Sequence, residues 1–292
     1  MQLILVSYTQ PCRRIAALLL TLALASFPCF GWWETGHRTV ARIAAAHLTP
    51  AARARVARIL NVADTPTAVS DGLALASTWA DETKAQTKTG SWHYIDLAIQ
   101  DTPAEIPARC LHDDCATLRI RLFAHPKDLD QLRYLVHLVG DLHQPLHAIS
   151  NADLGGNCEH VSPPVETATN LHAVWDGAIV NSLGLSDHDL AKSLDQKLVS
   201  FGRDAASQLA AGTETDWTWE SHELAIRLYR ELGVPTQPVL FPHGCREAPA
   251  AVANLTFHLD ASYIQEMQPV VREQLLKAGL RLAKMLNEGT QP

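Results

Sequence analysis

From Thr35 onward, apolar residues return every three or four positions, the period of helices buried along one side. TGHRTVARIAAAHLTPAARARVARIL (35–60) predicts two amphipathic helices broken near Thr49–Pro50, because a proline interrupts one helix and suits the first turn of the next. AVSDGLALASTWADETKAQT (68–87) predicts a third and RYLVHLVGDLHQPLHAIS (133–150) a fourth. The same period continues through 187–212, 218–232 and 261–288. Segments rich in Pro, Gly, Asp and Asn predict loops at Asp101–Asp114 and Ala152–Thr169. Strand signals are confined to short runs such as WHYIDL (92–97). Without a repeat, a low-complexity tract or a linker, the pattern predicts one all-α domain.

The segment 133–150 carries residues that an apolar helix should not have. Leu135, Val136, Leu138, Val139, Leu142 and Leu146 are core material, yet His137, Asp141, His143 and His147 interrupt them. Unpaired polar groups are costly inside a core. His137 and Asp141 stand four apart on one helical face, as do His172 and Asp176 in NLHAVWD. Such i, i+4 pairs can clasp a metal ion. Nitrogen and oxygen donors without a thiolate suit zinc at an open, catalytic site. His143 is left between two roles, orienting Asp141 or bonding a loop carbonyl. His47, His112, His125, His160, His188, His222, His243 and His258 lack comparable spacing and read as surface or structural residues.

The amino terminus changes the setting. Arg13 and Arg14 precede an apolar run, Ile15–Phe27, which is short for a bilayer span, and Pro28, Cys29 and Gly31 supply small residues for cleavage. Residues 1–31 therefore read as a signal peptide and 32–292 as the mature domain, exported to the periplasm or beyond; a retained anchor is the alternative. Cys110, Cys115, Cys158 and Cys245 then remain, an even number in an oxidising compartment. CLHDDC suggests a Cys110–Cys115 bridge, which leaves Cys158–Cys245. Loop entropy credits these with about 2 and about 4.5 kcal/mol. A cysteine-ligated zinc is disfavoured because no CxxC pair is present. The formal net charge is -7, and loss of the two arginines leaves about -9. A broad basic surface for nucleic acid is excluded, so any attraction for phosphate must be local.

WWETGH, WAD, WHYID, HLVGDLHQPLH, GGN and NLHAVWD, in this order and spacing, resemble the zinc-dependent single-strand-specific nucleases, which share their fold with the bacterial zinc phospholipase C. The resemblance runs through motifs from Trp32 to about Asp176 and more loosely to the last helix. It implies a mainly helical fold around three zinc ions. Carried over by position, one zinc takes Asp81, His93, His137 and Asp141, and a second takes His147, His172 and Asp176. The third takes His37, Asp141 as a bridge, and the α-amine and carbonyl of a mature amino-terminal Trp32. Asp81 and Asp141 then serve catalysis, together with Lys84 and Asn157, which contact phosphate. Tyr94 and Asp96 form a base pocket.

The implied activity is endonucleolytic hydrolysis of single-stranded DNA and RNA to 5′-phosphorylated products, with 3′-nucleotidase activity, by a monomer that needs no protein partner or membrane. Two rivals remain. A zinc phospholipase C would act on lipid headgroups, but that branch closes its last zinc site with Glu where this chain has Asp176. A structural zinc protein would have no use for Lys84 and Asn157.

Overall fold

The computed structural model describes residues 32–202 and 204–288; the signal-peptide reading, with Cys12 and Cys29, lies outside them. The break at Thr49–Pro50 separates α1 (Glu34–Ala46) from α2 (Pro50–Leu60), where the Thr49 hydroxyl accepts from the Ala52 N–H at 3.2 Å. Thr65 and Pro66 repeat the device at α3 (Pro66–Ala76). The stretch read as one helix over 68–87 is two, because the chain bends at Ser77–Thr78 before α4 (Trp79–Thr87). The bend frees the Ser77 carbonyl to accept from a side chain of another helix.

The strand expected at WHYIDL is absent. A 3₁₀ turn, Gly90–His93, comes first, and the next residues are extended without a ladder. Their backbone is instead bonded to the segment around His147: Ile95 N–H donates to the His147 carbonyl and Ser150 N–H to the Leu97 carbonyl, both at 2.8 Å. The loop expected over 101–114 contains a 3₁₀ turn, Pro103–Glu105, and α5 (Ile106–Asp113). A reciprocal Thr102–Glu105 cap starts them, a signal hidden by the surrounding Pro and Asp.

Helix α6 (Ala116–Phe123) leads to α7 (Leu129–Leu142), which Asp128 caps by accepting from the Gln131 N–H at 2.9 Å. The turn Pro145–Ala148 follows. Strands β1 (His160–Val165) and β2 (Ala168–Asn170) lie where a loop was expected and pair antiparallel, with His160 opposite Asn170. β3 (Thr256–Phe257) joins β1 in parallel, giving the order β2-β1-β3. Next come α8 (Leu171–Ala173), a π turn (Val174–Ala178) and α9 (Ile179–Asn181). The chain continues through α10 (Asp187–Ser200), α11 (Ala205–Leu209), α12 (Glu214–Glu231), α13 (Ala250–Ala253) and α14 (Ala261–Glu288).

α1 packs on α14, α3 and α10, and α7 runs through the same core against α6 and α14. The fold is all-α, with the small sheet at its margin. No helix among the described residues is long and apolar enough to cross a membrane. Cys110–Cys115 closes the α5–α6 junction, and Cys158–Cys245 joins positions 87 apart.

The segment after the Pro145–Ala148 turn is held from beneath by buried acids. Asp153 accepts from the Asn151 and Gly155 N–H groups through Oδ1 and from the Tyr229 hydroxyl through Oδ2, the last at 2.7 Å. Glu159 lies buried beside it, and neither of its oxygens meets a donor. Burial, then the Asp153 charge, pushes the Glu159 carboxyl from 4.5 up to about 10. The folded chain therefore holds a proton that the unfolded chain releases above pH 4.5. This contribution is complete below that pH and is lost as pH rises through about 10. Glu159→Gln keeps the shape and cannot ionise. Its melting temperature should match the parent near pH 5 and exceed it by well over a few degrees at pH 9. An equal difference at both pH values would show that Glu159 is not the titrating group.

Candidate metal centre

Three buried imidazoles are oriented by the same device. His137 Nδ1–H donates to the Ser77 carbonyl at 2.6 Å, His147 Nδ1–H to the His93 carbonyl at 2.8 Å, and His172 Nδ1–H to the Gly155 carbonyl at 2.6 Å. A carbonyl only accepts, so each ring carries a proton at Nδ1 and turns Nε2 inward.

Around α7 the imidazole nitrogens meet carboxylates. His137 Nε2 lies 3.0 Å from Asp141 Oδ2 and 3.6 Å from Asp81 Oδ1. His93 Nδ1 is 2.9 Å from Asp141 Oδ2, 3.5 Å from Asp81 Oδ1 and 3.0 Å from His137 Nε2. His37 stacks on His137 with centroids 3.9 Å apart, and its Nε2 is 3.3 Å from the other oxygen, Asp141 Oδ1. Gly140 makes room for this approach, since a Cβ there would lie 2.8 Å from His37 Nδ1. The fully buried Trp32 donates its indole N–H to the Gly140 carbonyl at 2.9 Å. A second group forms at the π turn: His147 Nε2 is 3.4 Å from Asp176 Oδ1, and His172 Nε2 is 3.5 Å from Asp176 Oδ2.

Burial lowers His37 and His147 to about 4, which keeps both rings neutral at ordinary pH. Burial also pushes Asp176 up to about 8. It opposes charge on Asp141 and His137 as well, but there the pairing prevails. Chiefly through His137, Asp141 is held well below the carboxylate range, while Asp141 and Asp81 raise His137 to about 9.

These groups leave buried polar atoms unsatisfied. His37 Nδ1 and Nε2, His93 Nε2, His147 Nε2 and Asp141 Oδ1 are buried with no hydrogen-bond partner among the described residues. Each such atom costs about 1–3 kcal/mol, and cations held at His37 Nε2, His147 Nε2 and Asp141 Oδ1 would offset part of that cost. The donor set is imidazole and carboxylate without thiolate, suited to zinc and neighbouring divalent ions. His37–Asp81–His137, His93–His137–Asp141 and His147–His172–Asp176 each gather ligand atoms within 4.8 Å and could hold a metal ion.

A cleft of about 720 Å³ opens over the centre. Lys84, Tyr94, Asp96 and Asn157 line it beside His147 and His172. Lys84 Nζ donates to Asp81 Oδ1 at 3.0 Å, and Asn157 Nδ2 donates to the Leu154 carbonyl at 2.8 Å. Gly155 and Gly156 have φ of +61° and +83°, the left-handed turn that brings Asn157 to the cleft wall.

Sequence reasoning passed over Gln144. It is fully buried, donates Nε2–H to Asp176 Oδ1 at 2.7 Å, and accepts from the Leu146 N–H through Oε1. The available signal was a polar residue inside HQPLH, but no helical spacing links it to Asp176. His143 does not bond the Asp141 carboxylate: its Nδ1–H donates to the Val139 carbonyl, and its Nε2 accepts from Arg281 at 2.9 Å. Gln144→Ala should weaken metal binding at the His147–His172–Asp176 group by about 10–100-fold, read by competition with a chelator, and leave helical content unchanged. Unaltered affinity would show that the amide does not orient Asp176.

The chain matches the S1/P1 Nuclease family over residues 32–291. Nuclease P1 of Penicillium citrinum is 30% identical over 283 residues, covering 88% of this chain and 97% of that protein. Nuclease S1 of Aspergillus oryzae is 29% identical, with 91% and 94% covered, and Endonuclease 3 of Arabidopsis thaliana is 28% identical, with 94% and 93% covered. With a match across the whole described domain and a buried histidine–aspartate centre beneath an open cleft, the chain belongs to the S1/P1 nuclease family and is a hydrolase of nucleic-acid phosphodiester bonds.

Proposed function

We propose that the protein is an exported, zinc-dependent endonuclease that cuts single-stranded DNA and RNA to 5′-phosphorylated products and also removes 3′-phosphates from nucleotides. The observation that carries this reading is the convergence of His37, His93 and His137 on the buried Asp141 carboxylate beneath a cleft with one cationic side chain and an exposed aromatic ring. Asp81, His93, His137 and Asp141 would hold one ion, and His147, His172 and Asp176 a second. A third would bind His37, Asp141 and Trp32. The two Asp141 oxygens face different histidines, which suits a bridging carboxylate. When bound, the ions supply Lewis-acid stabilisation of phosphate charge and lower the pKa of water.

The chain's own residues do the rest. Lys84 and Asn157 bind the phosphodiester, and the turn at Gly155–Gly156 brings backbone close to it. Tyr94, 38% exposed, stacks on a base whose edge donates to Asp96. A duplex keeps its bases stacked and its edges paired, so a pocket that grips one base selects single strands. Export agrees with the two disulfides and with a family match that begins at Trp32, where cleavage after Gly31 would free the α-amine to bind metal. N-terminal sequencing should read Trp32 first; a start elsewhere would remove that ligand.

Purified protein incubated with single-stranded DNA, duplex DNA, RNA, 3′-AMP and phosphatidylcholine tests the activity. Single strands and 3′-AMP should be hydrolysed at least tenfold faster than duplex or lipid. Preference for phosphatidylcholine would instead support a phospholipase. Asp141→Asn should cost more activity than Asp176→Asn and should lose metal from two positions rather than one, measured by metal content. Equal losses, with all metal retained in each, would remove the bridging role.

A further inference from the structure

The segment after α12 crosses the molecule without regular structure and is fastened at both ends. At one end, Asn151 Nδ2 donates to the Pro235 carbonyl at 3.0 Å, and Gln237 N–H donates to Asn151 Oδ1 at 2.8 Å. Gln100 Nε2 also donates to the Gln237 carbonyl at 2.8 Å. Midway, the Phe241 ring lies 4.4 Å from the guanidinium of Arg109, which is itself bonded to both oxygens of Asp101. At the other end, Cys245 is joined to Cys158, the neighbour of Asn157. This strap brings His243 and Cys245 to the wall of the cleft that contains Tyr94, Asp96 and Asn157.

His243 is exposed, its backbone N–H donates to Glu247 Oε2 at 2.9 Å, and its ring makes no hydrogen bond among the described residues. It therefore has no part in holding the strap. An imidazole ring left to solvent in a nucleic-acid cleft offers a flat face to an unstacked base. We propose that His243 stacks on a base of the single-stranded substrate, and that the Cys158–Cys245 disulfide holds it in place beside Asn157. The stack adds affinity for a strand and does nothing for a phosphodiester without bases. Because the tether is a disulfide, reduction should loosen substrate binding without touching the metal centre.

This proposal rests on the nuclease reading. If that reading fails, the parent protein does not cut single strands; if only this one fails, the parent is active and His243→Ala equals it. The test compares a single-stranded DNA oligomer with bis-p-nitrophenyl phosphate. His243→Ala should raise KM for the oligomer about fivefold, with kcat within twofold, bis-p-nitrophenyl phosphate turnover unchanged and metal content unchanged. His243→Phe, which keeps a stacking face, should restore KM to within twofold of the parent. An unchanged KM for His243→Ala, equal losses on both substrates, or a Phe variant as poor as Ala would each overturn the stacking role. The Cys158→Ser/Cys245→Ser double variant, or the parent reduced under native conditions with thiols counted, should show the same fivefold rise, with no further loss on adding His243→Ala. Independent, multiplying losses would overturn the tether.

Discussion

Asp141 has no solvent-exposed surface, lies in the last turn of the apolar helix α7, and turns one oxygen to His37 and the other to His93 and His137. A carboxylate so placed is tolerable only when positive charge faces it. The surrounding imidazoles supply too little, because burial holds His37 near 4 and lowers His93, leaving His137 as the protonated neighbour. The acceptors outnumber the protons available to them. Divalent ions held by these residues are the proposed resolution, and they would also concentrate positive potential under the cleft of a chain whose formal net charge is -7.

Much of the fold can be read as support for that arrangement. The bend at Ser77–Thr78, the extended stretch after His93 and the glycine turn at 155–156 all leave backbone carbonyls outside helices and sheets. Those of Ser77, His93 and Gly155 accept the Nδ1–H groups of His137, His147 and His172. Regular structure at these places would have used the same carbonyls for its own ladder. The two groups of histidines and aspartates share the segment after α7: His147 lies in the Pro145–Ala148 turn, and Gln144 reaches Asp176 from its start.

The helical period made most of the architecture legible, because the long helices bury one stripe and expose the rest. It failed where the chain's bonds are non-local or its caps are short. WHYIDL has strand composition, but its backbone bonds to His147 and Ser150 instead of a neighbouring strand. Helix α5 hides among Pro and Asp, and the single helix read over 68–87 breaks where Ser77 is needed elsewhere. At the site, His137–Asp141 and His172–Asp176 were visible through their spacing. Gln144 was not, since its amide reaches Asp176, distant in sequence, through one hydrogen bond; nor was the stacking proposed for His243, which sits on a strap that a disulfide joins to Cys158.

Metal content and thermal unfolding, followed in one preparation before and after exhaustive dialysis against a chelator, address the polar core most directly. Removal of the ions should strip activity and lower the melting temperature by ten degrees or more, and both should return when zinc is restored. A metal-free protein that melts at the same temperature and keeps its activity would contradict a metal-stabilised centre at Asp141.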